Sequence, residues 1–155
     1  MTSPIERRLE ELGLTLPEIP APAGNYLPWV RSGELLFVSG QIPMVEGRVV
    51  VAGRLGEDVG IEEGQRAARI CALNILAQAR AALDGDFAGL ARCLKLGGFV
   101  ACTPDFSDQP KVINGASDLI VAVMGDAGRH ARFAVGAPAL PLGAAVEVEA
   151  IFELA

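Results

Sequence analysis

Val146-Glu147-Val148-Glu149-Ala150-Ile151-Phe152-Glu153-Leu154 is the stretch that decides how the rest of the chain is read. Val146, Val148, Ala150 and Phe152 alternate with Glu147, Glu149, Ile151 and Glu153. A period of two with one apolar and one largely acidic side belongs to a strand that lies on a core with one face only, as in an antiparallel sheet. The covered face of such a sheet needs an apolar partner, and two segments of helical period can supply it. In the first, Ala68, Cys71, Ala72, Ile75, Leu76, Ala79 and Leu83 fall on one side of a helix expected over about 61–84, with Arg66, Arg69 and Gln78 elsewhere. In the second, Ser107 or Asp108 caps a helix with Pro110 in its first turn, the stripe Ile113, Ala116, Leu119, Ile120 and Val123, and Gly125 at its end.

The other strands are shorter. Leu35-Leu36-Phe37-Val38-Ser39 is stopped by Gly40, and Arg48-Val49-Val50-Val51 follows after a hairpin loop from Pro43 to Gly47. Cys93 to Cys102 is a strand interrupted by Gly97-Gly98, and Phe133-Ala134-Val135-Gly136 is another. Thr2 and Ser3 before Pro4 and Glu6 signal a helix start, and Ile5, Leu9 and Leu12 repeat at helical spacing up to Gly13. Pro17, Pro20, Pro22 and Pro28 make 16–28 an extended connector. The order is a helix followed by ββ-α-β-α-ββ, which predicts an α+β sheet with both long helices on one face. We expect 1–155 to be a single domain in which 1–19 is a helical extension and connector.

Composition narrows the function. The 155 residues are 51% hydrophobic and 21% charged, enough to build a core. Only 5% are aromatic, so the core is made of small side chains, and self-association would add burial. The formal net charge of −6, with Arg7-Arg8 the densest basic pair, argues against nucleic acid as a partner. One well-placed arginine could still hold an anionic small molecule. Cys71, Cys93 and Cys102 are odd in number, lack metal spacing and sit in apolar runs, so they read as buried free thiols. The start of the chain is polar, and no apolar run reaches the ~20 residues of a membrane span. The expectation is a soluble, cytoplasmic protein with no membrane partner.

Four features resist a purely structural reading. Asn114-Gly115 falls inside the second long helix, where Gly costs about 1 kcal/mol; the alternative is a helix that starts late, capped by Asn114. Arg132 and Glu147 become cross-strand neighbours if 131–137 and 145–153 form a hairpin centred between Ala139 and Leu140. They then form either a surface ion pair or a guanidinium fork beside a carboxylate that handles water or a proton. His130, the single histidine, would share the face of Arg132. Asn25-Tyr26-Leu27-Pro28-Trp29 carries the single Tyr and single Trp, as an aromatic anchor or as part of a site. No nucleophile elbow, phosphate loop, dinucleotide fingerprint or metal cluster is visible, and no cofactor or metal is expected.

At these residues the chain resembles the RidA/YjgF family, also called the L-PSP or reactive-intermediate-deaminase family, over about 20–155. The resemblance rests on Asn25-Tyr26, Phe37-Val38-Ser39-Gly40-Gln41-Ile42-Pro43, Asn114, and the ending Ala131-Arg132-Phe133 … Leu140-Pro141 … Val146-Glu147-Val148-Glu149-Ala150. It implies a chorismate-mutase-like fold and a homotrimer with ligand clefts between subunits. It further implies hydrolysis of small 2-imino or enamine carboxylic acids to 2-oxo acids and ammonia, without a covalent nucleophile. Carried over by position, Arg132 would hold the substrate carboxylate with the backbone N–H of Ala134 and groups around Gly40. Glu147 would orient or activate water, and Tyr26, Ser39 and Asn114 would line the pocket, with His130 beside them. Ala134 stands where the family often has Cys, and His130 where it often has Pro. The alternative is a trimeric protein that binds metabolites in the same cleft without turning them over. A ribonuclease, as an older family name suggests, ranks third.

Overall fold

The computed structural model describes residues 2–19 and 24–155. Its elements are α1 (Pro4–Glu11), β1 (Trp29–Ser32), β2 (Leu35–Gln41), β3 (Met44–Val45), β4 (Arg48–Val49), α2 (Ile61–Ala82), β5 (Leu90–Ala101), α3 (Gln109–Met124), β6 (Ala131–Ala137) and β7 (Val146–Leu154). Five strands form one sheet in the order β1-β2-β7-β5-β6, and β3 and β4 form a separate two-stranded ribbon. All pairs in the large sheet are antiparallel except β5 with β6, which are parallel.

β7 sits in the middle of the sheet, and the alternation read from its sequence is the alternation of burial. Val146, Val148 and Phe152 are fully buried and Ala150 nearly so. Ala-rich α2 and α3 cover that face together with Leu36, Val38, Leu96 and Val100. The absence of β-carbons lets these layers approach. A Cβ on Gly98 would lie 2.6 Å from the Ile113 side chain, and one on Gly115 would overlap the Gln65 carbonyl of α2. Gly115 is therefore a helix-packing residue. α3 runs unbroken through Asn114-Gly115, which overturns the late-start alternative. α1 is closed by the expected capping box, with Glu6 N–H donating to Ser3 Oγ at 3.2 Å and Ser3 N–H to the Glu6 carboxylate at 2.9 Å.

Three expectations about pairing are corrected. β2 does not pair with 48–51; it pairs with β1 on one side and β7 on the other, while β4 pairs only with β3. Second, β1 is an unforeseen strand: the sequence reading takes Trp29 into the aromatic anchor and assigns 30–32 to no element, because a four-residue edge strand leaves no alternation to read. Trp29 does pack on the core, as the anchor reading has it. The connector's Pro20 and Pro22 lie outside the described residues. Third, 131–137 and 145–153 are not a hairpin. α3 crosses over between β5 and β6 and makes them parallel neighbours, and the chain then passes to the far side of β5 to form β7. Gln78, placed off the apolar face, is buried as well.

The cysteines are free and buried. Burial pushes the Cys71 thiol well above its ordinary range and the Cys93 thiol up to about 12, so both are inert at neutral pH. Among the described residues, no helix is long and apolar enough to cross a membrane.

Candidate functional site

Loss of the hairpin separates the two residues on which the sequence reading turned. Arg132 lies opposite Leu96 and Glu147 opposite Phe99, on the two strands that flank β5. They are two strands apart, about 10 Å, and three residues apart along β5, about another 10 Å. They also point to opposite faces. Arg132 bonds to α3 on the covered face. Glu147 projects on the open face, whose neighbours Gly97, Phe133 and Glu149 meet one another. The expected cross-strand pair does not exist within one chain.

What does exist is two clusters. The first lies in the seam between edge strand β6 and α3. Arg132 Nη1 donates to Asn114 Oδ1 at 2.8 Å and to Ser117 Oγ at 3.1 Å, and Nη2 donates to the Pro110 carbonyl at 3.1 Å. All three acceptors are neutral. Among the described residues Arg132 forms no ion pair, whereas the salt bridges that do occur are i,i+3 contacts on the surface. Three of its five N–H donors are used, which leaves two for an anion. His130 joins the cluster through Ser117, with Nε2 2.9 Å from Oγ, while Nδ1 lies 2.6 Å from the Gly128 carbonyl. The expectation that His130 shares the side of Arg132 holds. Ala134, two residues on, packs partly against the core.

Ser117 was missed. It stands one helical turn after Asn114, so a reading that placed Asn114 in a site could have found it by i,i+3 spacing. The Pro110 carbonyl carries no signal in a side-chain reading. It accepts with the second lone pair of a carbonyl that already belongs to the helix ladder.

The second cluster gathers where β2 meets β7. Between Val38 and Gln41 the register slips by one residue, a bulge centred on Ser39-Gly40. The Glu147 carboxylate occupies the space a side chain on Gly40 would fill, so a β-carbon there would displace it. Half-burial, and secondarily the charge of Glu149, raise the Glu147 carboxyl above its ordinary value. Ser39 ties this corner to the segment before β1: its Oγ donates to the Leu27 carbonyl at 2.7 Å and its N–H to the Pro28 carbonyl at 3.0 Å. Tyr26, half exposed, is thereby held near the bulge. Tyr26, Ser39, Gly40 and Glu147 thus belong to one cluster, and Asn114, His130, Arg132 and Ala134 to the other. Phe99 and Phe133 stack edge to face at 5.2 Å on the open face between them. Among the described residues no three or more His, Cys, Asp or Glu side chains gather as metal ligands.

Comparison with known proteins places this arrangement. A family profile described as "YjgF/chorismate_mutase-like, putative endoribonuclease" matches residues 6–154. The chain belongs to the YjgF family. The match takes in most of α1, which the sequence reading had left outside the resemblance. Protein TCP17 of Trypanosoma cruzi is 49% identical over 151 residues, covering 97% of this chain and 94% of that one. The crystal structure of Atu1372 from Agrobacterium tumefaciens, titled as of unknown function, is 54% identical with a TM-score of 0.90, covering 97% of this chain and 93% of the other. A Shewanella oneidensis structure titled a putative endoribonuclease is 37% identical with a TM-score of 0.93, covering 97% and 99%. The α+β fold with two helices on one face and an added N-terminal helix is that of the YjgF family.

Proposed function

We propose that this YjgF-family protein hydrolyses small 2-imino or enamine carboxylic acids to 2-oxo acids and ammonia, in a cleft formed where two copies of the chain meet in a homotrimer. The observation that carries this reading is Arg132: a half-buried guanidinium, held by three neutral acceptors, with no carboxylate among the described residues paired to it. A cation organised in this way has its partner still to come, and a planar fork suits a carboxylate. The carboxylate cluster at Gly40 and Glu147 has the complementary gap, a proton-handling group without a cation. A second copy can bring the β6–α3 seam of one subunit to the open face of another, where Val30, Leu35, Phe37 and Val135 offer exposed apolar surface to bury.

The chemistry asks little of the protein. An imine carbon is already electrophilic. Arg132 fixes the substrate by its carboxylate, and Glu147 takes a proton from the attacking water as the imine nitrogen gains one. The tetrahedral carbinolamine then expels ammonia as the proton on Glu147 passes to the leaving nitrogen, and its hydroxyl returns to solvent the proton that the imine nitrogen had drawn from it. A carboxyl raised by burial holds a proton more readily than an ordinary one, which suits it to pass that proton on. Tyr26, Ser39 and Asn114 line the cleft, and the Ala134 N–H joins the carboxylate cradle. No covalent nucleophile, cofactor or metal enters a step.

The test is ammonia release from enzymatically generated imino acids. Wild type should exceed buffer, and Arg132→Ala should fall to the buffer rate, a loss of at least about a hundredfold. Equal rates for wild type, Arg132→Ala and buffer would remove the deaminase and leave the alternative, a protein that binds 2-oxo acids without turnover. Light scattering at one subunit's mass would remove the shared cleft. A net charge of −6 speaks against the ribonuclease in a relative's title.

A further inference from the structure

We propose that Ser117 and His130 position the Arg132 guanidinium for its anion and couple anion capture to uptake of a proton on His130. The inference rests on the anion-site reading of Arg132 and adds a regulation of that site.

The hydrogen bonds run in one direction. His130 Nδ1 faces a carbonyl oxygen, Gly128, at 2.6 Å, so Nδ1 carries a proton and donates it. In the neutral ring Nε2 is then a lone pair, and Ser117 Oγ donates to it at 2.9 Å. Ser117 Oγ in turn accepts from Arg132 Nη1 at 3.1 Å. Guanidinium, hydroxyl, imidazole and carbonyl form a single relay, and with Asn114 and Pro110 it holds Arg132 in one pose.

A proton added at Nε2 reverses one link. The ring now donates to Ser117 Oγ, which accepts from both His130 and Arg132 and turns its own hydrogen outward. The site gains one positive charge and one O–H donor together. Without an anion that second cation, one hydroxyl away from Arg132, is repelled; with an anion bound it is favoured. Anion and proton therefore assist each other by the same factor. The charged groups on the elements around the ring are Arg132 on β6, exposed Asp118 and Lys111 on α3 (Lys111 paired with Asp108), the Asp126–Arg129 pair in the preceding turn, and Lys95 and Arg92 on β5. Arg92 is turned to the Arg129 carbonyl and Lys95 lies over the Phe133 ring. Among the described residues no carboxylate bonds the imidazole, so the bound anion is the group that stabilises its charge.

The experiment is calorimetry of pyruvate binding to the full chain, in two buffers of different ionisation enthalpy, which counts protons. Wild type should take up as much as about one proton per pyruvate and bind more tightly as pH falls. His130→Gln offers Ser117 an amide oxygen in place of Nε2 and cannot titrate. It should bind more weakly than wild type, with uptake near zero and no tightening as pH falls. Ser117→Ala should bind about tenfold more weakly and lose the uptake. Arg132-dependent binding without proton uptake, or uptake unchanged in His130→Gln, overturns this inference and leaves the anion site standing. Wild type that fails to bind pyruvate saturably overturns both.

Discussion

The guanidinium in the β6–α3 seam and the carboxylate on the far face of β7 are held by opposite means. Arg132 is surrounded by acceptors, and its pose is over-determined by Asn114, Ser117 and the Pro110 carbonyl. Glu147 is held by shape: a bulge and a missing β-carbon at Gly40 make room for it, and half-burial does the rest. The seam is thus organised for a fixed partner, since a rigid fork loses little entropy on meeting a carboxylate. The bulge is organised for a proton, since a carboxyl kept partly from water and from cations sits closer to giving up its charge. In the reaction we propose neither half suffices alone, and they face away from each other within one chain.

The sharpest way to break that comparison is to inactivate one half in each of two populations. Arg132→Ala and Glu147→Gln homotrimers should each be inactive. After the subunits are mixed and reassembled, about one quarter of wild-type deaminase activity should return, because one seam in four then pairs an intact arginine with an intact glutamate from another chain. Mixtures that stay inactive would mean that the two residues never share a site. A second contrast uses glycines. Gly115→Ala forces α2 and α3 apart at a backbone carbonyl and should lower unfolding stability by about 3 kcal/mol, read by denaturant midpoint. Gly40→Ala meets only the end of a side chain; it should displace Glu147 and cost about tenfold or more in activity with little change in that midpoint.

The smallest effect sharpens the account of Glu147. Its folded-state carboxyl is raised above the ordinary value, so ionisation opposes folding. The penalty is absent below about pH 4.5 and develops as pH rises through the folded value. Glu147→Gln should therefore melt slightly higher than wild type at pH 7, with the gap closing toward pH 4. A gap that widens on acidification would contradict burial as the cause.

Most elements were legible because their signals are local. The α1 cap needs only Ser3 and Glu6, α2 and α3 announce themselves by apolar period, and β7 by its alternation. β1 was not legible, being short and on an edge. The site was legible by residue type and not by arrangement. Asn114 next to Gly115 stood out as a broken helix rule, and the two residues proved to have separate reasons: one accepts from Arg132, the other lets α2 approach. Ser117 left no mark, because a serine on a helix is ordinary until something bonds to it.

Side-chain chemistry and period, both properties of a few adjacent residues, were enough to name the longer strands, the helices, the covered face of the sheet and the arginine and glutamate worth watching. Strand order was beyond them. Whether β6 lies beside β7 or beyond β5 depends on how α3 crosses the sheet, a contact between segments far apart in the chain. That choice alone put Arg132 and Glu147 on opposite faces, and so made a second copy a condition of the site we propose.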